Sequence, residues 1–108
     1  MARPLDKLMS LTRRLREVED TFNANDLYAL VYIAQNEGCT MDELIVRMET
    51  LAASSVSRIC SRLGDYSPIT KGHGYVTMLI HPEDARRRSM YLTPAGKRFV
   101  QSLEQAVS

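Results

Sequence analysis

The sequence has no tryptophan, and only 6% of it is aromatic, so Leu, Ile, Val and Met must supply most of any core. Cysteine is scarce as well. Cys39 and Cys60 stand at no metal-motif spacing, and two thiols alone cannot make a metal framework. They are expected to be reduced thiols in a cytoplasmic protein. No apolar run approaches the roughly 20 residues that cross a bilayer, so no membrane partner is expected. Residues 1–20 interleave Arg3, Asp6, Lys7, Arg13 and Arg14 with apolar side chains, which is not the pattern of a secretory leader. Repeats and low-complexity stretches are missing too. The 108 residues, 44% hydrophobic and 25% charged, have the size and balance of one globular domain spanning 1–108.

Catalytic patterns are also lacking. His73 and His81 lie in turn-like segments without a metal-spaced partner. No serine sits in a nucleophile-elbow glycine pattern, and Gly72-His73-Gly74 is not a phosphate loop. The reading is a protein that is not an enzyme and needs no cofactor or metal.

Charge is present but unevenly spread. The net charge is only +1, yet residues 21–51 carry −4 and residues 52–98 carry +5. A basic segment beside an acidic one fits a face for a polyanion, and equally a folded surface whose charges average out.

Leu8, Leu11, Leu15, Val18 and Phe22 follow a 3, 4, 3, 4 spacing, the seam of a helix over about 4–20 with Pro4 in its first turn. That seam can face the protomer's own core or a second copy. Asn25 or Asp26 can cap a helix over 27–35, ended by Gly38 in a left-handed conformation. Thr40-Met41-Asp42-Glu43 reads as a capping box opening a helix over 41–48. A further helix over 52–63 has Val56, Ile59, Cys60 and Leu63 inside and stops at Gly64. Together these outline a helix-turn-helix. Residues 64–74 form a loop, 75–80 and 87–92 a hairpin, and Thr93-Pro94 starts a last helix over 94–106. The fold class is α+β, mostly α.

Opposite the apolar stripe of the 52–63 helix stand Ser54, Arg58 and Ser61, flanked by Ser55, Ser57 and Arg62, with no acidic side chain between Leu51 and Gly64. Serines cost helix propensity without helping packing, whereas small hydroxyls let a helix approach a groove closely. Arginine can donate two bonds to guanine or to phosphate. The bland alternative is a solvated face. Arg86, Arg87 and Arg88 at the hairpin tip can serve a minor groove, or simply blunt a sheet edge. Asp84 can pair with Arg86 and hold it straight.

SSVSRICSRL (54–63) followed by GYVTMLIHPEDARRRSMYLTPAGKRF (74–99) resembles the winged helix-turn-helix of the MarR (multiple antibiotic resistance regulator) family. The family wing reads approximately D-x-R, a strand, then L-T-x-x-G; Asp84, Arg86, Leu92, Thr93 and Gly96 fill those places. The resemblance covers about residues 25–100. It implies a dimeric regulator binding double-stranded DNA, expected to act as a repressor. Ser54, Ser55, Ser57, Arg58, Ser61 and Arg62 would lie in a major groove. Arg86, Arg87 and Arg88 would serve the wing, with Asp84 as its structural partner. The helices within 1–22 and 94–108 would pack around the winged domain and form the dimer, through Leu8, Leu11, Leu15, Val18, Phe99 and Leu103. A small-molecule effector is possible by resemblance, though no residue argues for one independently. The chain departs from the family in a shorter last helix, a longer turn before Ser54 and a longer, glycine-rich loop at 64–74. The shorter helix implies a smaller dimer surface. A winged-helix adaptor that modulates another protein, such as a polymerase or nuclease, is the alternative function.

Overall fold

The computed structural model describes residues 3–18, 22–64, 72–81 and 83–108, and of His81, Ala85 and Arg86 the backbone alone. Helix α1 runs Pro4–Arg16, with Pro4 at the first helical position and the Arg3 N–H donating to Asp6 Oδ2 at 3.3 Å. Arg13, Arg14 and Arg16 fill its last turn, where the helix dipole favours cations. The helix is shorter than its heptad spacing predicts: Val18 and Phe22 lie beyond it, and Asp20 is outside the described residues.

Helix α2 (Ala24–Gln35) begins one turn earlier than its apolar periodicity suggests. Asn23 is the cap, not Asn25 or Asp26. The Asp26 N–H donates to Asn23 Oδ1 at 3.0 Å, and the Asn23 N–H donates back to Asp26 Oδ2 at 3.3 Å. Gly38 then turns the chain with φ +93°, the left-handed region as expected, and its N–H bonds Met90 O at 2.8 Å.

A two-residue strand, β1 (Cys39–Thr40), leads into α3 (Met41–Arg47), where Thr40 Oγ1 accepts from the Glu43 N–H at 3.2 Å. Residues 48–51 turn the chain into α4 (Ala53–Leu63), so α3 and α4 form the expected helix-turn-helix. Backbone bonds from His73, Gly74 and Tyr75 to Arg62, Gly64 and Leu63 fold the returning chain back onto the end of α4. Residues 65–71 of the intervening loop lie outside the described residues.

Strands β2 (Val76–His81) and β3 (Asp84–Leu92) pair antiparallel, and β1 adds to the other side of β3, giving the order β1-β3-β2. The ladder is regular from Val76↔Leu92 to Ile80↔Arg88; it then jumps to His81↔Asp84, an irregularity on the β3 side of the ribbon tip.

Helix α5 (Pro94–Val107) starts where the Leu-Thr-Pro-x-Gly stretch does its structural work. Thr93 Oγ1 donates to the Gly74 carbonyl and accepts from the Gly96 N–H, and the Thr93 N–H bonds Tyr75 O. A Cβ on Gly96 would stand 2.0 Å from Tyr75 O, so only glycine lets α5 cross that backbone.

One core joins α2, α3, α4 and the sheet: Leu30, Ile33, Leu44, Val56, Leu63, Val76 and Met90 are fully or almost fully buried. α1 lies along α5 and buries none of its side chains completely.

Candidate nucleic-acid interface

Helix α4 is placed by its apolar stripe. Val56, Ile59, Cys60 and Leu63 are buried, which turns the opposite side outward. There Ser54, Ser57, Arg58 and Ser61 are exposed and Ser55 is half-buried. The stripe contains no charge, so sliding α4 over would bury Arg58 unpaired, at a cost of several kcal/mol.

The β2–β3 ribbon stands beside this helix. A cleft of about 360 Å³ is lined by Ser57 and Ser61 from α4, Arg87 and Arg88 from β3, Met78 from β2 and Asp42 from α3. Arg87 and Arg88 are exposed. The serine flank of α4 and two ribbon arginines therefore border one concavity, and Arg58 points outward on the same helix. Asp42 puts one acidic side chain on its rim. Arg86 lies on β3, but its side chain, and the expected pairing with Asp84, fall outside the described residues. Asp84 opens β3 opposite His81.

Arg62 departs from expectation. Its Nη2 donates to Asp26 Oδ1 at 2.7 Å and its Nε donates to Oδ2 at 3.4 Å. The Asp26 side chain is fully buried and that of Arg62 is 34% exposed. Arg62 is thus tied to α2 instead of being free on the groove face. The pairing of Asp26 leaves no local signal, because an acid in the first turn of a helix is ordinary.

Two expected dimer residues are used inside the protomer. The Phe99 ring stacks on Tyr75 with centroids 4.5 Å apart and meets Phe22 edge-on, while His73 stacks on Tyr75 from the other end. Leu103 is buried. Leu11 and Leu15 are half-buried, Val18 is half-buried beyond the helix end, and Leu8 is 54% exposed. Leu5 and Met9, outside the expected dimer set, are more exposed still.

Both cysteines are free and buried. Burial, and then the neighbouring Cys39, push the Cys60 thiol up to about 12. Its Sγ packs against Met90 Sδ at 3.9 Å. A thiol so raised is protonated and unreactive at neutral pH. Among the described residues, no group of three His, Cys, Asp or Glu side chains is arranged to hold a metal, and no helix is long and apolar enough to cross a membrane.

No protein-family model matches the chain, and no curated protein matches it either. Solved structures do. Wild-type MarR of E. coli in its apo form is 23% identical over 96% of this chain and 70% of its own, with a TM-score of 0.69. A cysteine-to-serine mutant of E. coli MarR complexed with operator DNA is also 23% identical, over 96% of this chain and 67% of its own, at 0.69. A MepR mutant of S. aureus bound to an oligodeoxyribonucleotide is 16% identical over 94% and 67%, at 0.71. The chain has the winged-helix fold. In its terms α4 is the second helix of the helix-turn-helix, the β2–β3 ribbon is the wing, and the cleft lies between them.

Proposed function

We propose that this winged-helix protein is a sequence-specific regulator of transcription that binds double-stranded DNA as a homodimer and acts as a repressor. In this reading Ser54, Ser55, Ser57, Arg58 and Ser61 enter a major groove. Arg86, Arg87 and Arg88 carry the wing along the adjoining backbone into a minor groove. The observation that carries the reading is the shared cleft, where the uncharged serine flank of α4 meets Arg87 and Arg88. Operator DNA in the complex of the similarly folded E. coli MarR mutant supports it.

The homodimer rests on α1. Leu5, Leu8 and Met9 are 75%, 54% and 58% exposed, an apolar face that a monomer has no reason to leave in water. It adjoins a groove of about 540 Å³ lined by Leu11, Val31, Val100 and Val107. A second copy would bury both.

The test is selection of bound fragments from a random duplex pool. The reading expects one enriched motif with two half-sites about one helical turn, roughly 34 Å, apart. No enrichment by the folded protein, together with no retention of random duplex at low salt, would favour the adaptor alternative.

A further inference from the structure

We propose that Asp26 is the positioning residue of the recognition helix, and that Arg62 acts as its clamp and not as a groove contact. This rests on the DNA-binding reading above. The apolar side of α4 holds the helix against the core, but such contacts are non-directional and tolerate a small roll or slide. A guanidinium–carboxylate fork is directional. The Asp26 carboxylate lies wholly inside the protein and accepts three bonds: Arg62 Nη2 at 2.7 Å, Arg62 Nε at 3.4 Å and the Asn23 N–H at 3.3 Å. The same carboxylate therefore closes the first turn of α2 and fixes the last turn of α4, 36 residues away.

The placement matters for reading DNA. Arg62 is one turn beyond Arg58, on the same side of α4. Holding its head against α2 sets the roll of the helix, and with it the direction in which Ser54, Arg58 and Ser61 face. Two of the guanidinium nitrogens are engaged, so Arg62 adds little to backbone attraction. Its contribution is to discrimination between sequences, which depends on placement more than on charge.

The experiment compares the parent with Asp26→Asn, Arg62→Met and the double variant Asp26→Leu/Arg62→Met. Each is confirmed folded by circular dichroism at the assay temperature. The double variant replaces a buried ion pair with apolar side chains, a change that often preserves stability. The probes are the duplex selected by the parent and a random-sequence duplex, each titrated across salt. All three variants are expected to lose about tenfold on the selected duplex, one base contact's worth of discrimination, and to keep random-duplex affinity and its salt slope. That loss in a folded double variant is one that a purely stabilising role would not produce. Three results would overturn the assignment. Parental discrimination in the double variant would make the pair structural only. A salt slope reduced by about one in Arg62→Met on both duplexes would make Arg62 a phosphate contact. Failure of the parent itself to bind either duplex would remove the DNA reading on which the assignment stands.

Discussion

α4 and α1 are both amphipathic helices, yet they end in opposite states. α4 buries its whole apolar stripe within the protomer, and what it leaves outside is serine and arginine. α1 fully buries nothing, and what it leaves outside is Leu5, Leu8 and Met9. The first helix is complete as a piece of folded protein, so its outer residues are available for a polar, charged partner. The second leaves apolar side chains in water, where the proposed second copy would cover them. Exposed polarity and exposed apolarity on one small domain thus mark two different surfaces.

One substitution removes the support of both surfaces at once and should cost the most at neutral pH. Gly96→Ala puts a methyl group into the Tyr75 carbonyl at the start of α5, where backbone and not a flexible side chain must move. Overpacking typically costs about 1–3 kcal/mol, and a 2.0 Å approach to backbone puts this case at the upper end. Urea unfolding should show it, and an unchanged midpoint would mean that α5 does not cross there. A smaller effect separates the two helices. Leu8→Glu should weaken dimerisation at least about tenfold, since burying one leucine contributes about 1.5–3 kcal/mol, while leaving the protomer's fold intact. Light scattering against concentration checks this; a dimer as tight as the parent's would place the contact elsewhere.

The effect that is weakest at neutral pH, and grows only in alkali, tests the completeness of α4. The Cys60 thiol is raised from 9.0 to about 12, so the unfolded chain loses this proton first as the solution becomes alkaline. The stability it contributes is intact below pH 9 and is lost as pH rises from about 9 to about 12. Cys60→Ala should flatten that part of the stability profile. A parental alkaline slope in the variant would show that the thiol is not sealed in the core.

Most of this architecture was legible because it is written locally. The periodicity of α2, α4 and α5, the Thr40 and Thr93 caps, and the glycines at 38 and 96 are short-range signals. What was missed is long-range. β1 is two residues long and exists only because β3 pairs with it. The stacking of Phe99 on Tyr75 is hidden because the two rings are far apart in sequence. The Arg62–Asp26 pair is hidden because nothing within α4 reveals a buried carboxylate on α2. The Asn23 cap was missed for a different reason: the apolar pattern of α2 starts later than its hydrogen bonds do. Within the candidate site the serines and Arg58 were readable from one helix face, while their convergence with Arg87 and Arg88 required the fold.

The outer side of α4 and the wing arginines are proposed to act as one surface on duplex DNA. The most direct test is the salt dependence of duplex binding by the parent, Arg58→Ala, Arg87→Ala and the double variant. If Arg58 and Arg87 both reach phosphates, each single substitution lowers the slope of log affinity against log salt by about one and the double lowers it by about two, with thermal stability unchanged. Four identical slopes and affinities, from four equally folded proteins, would contradict it.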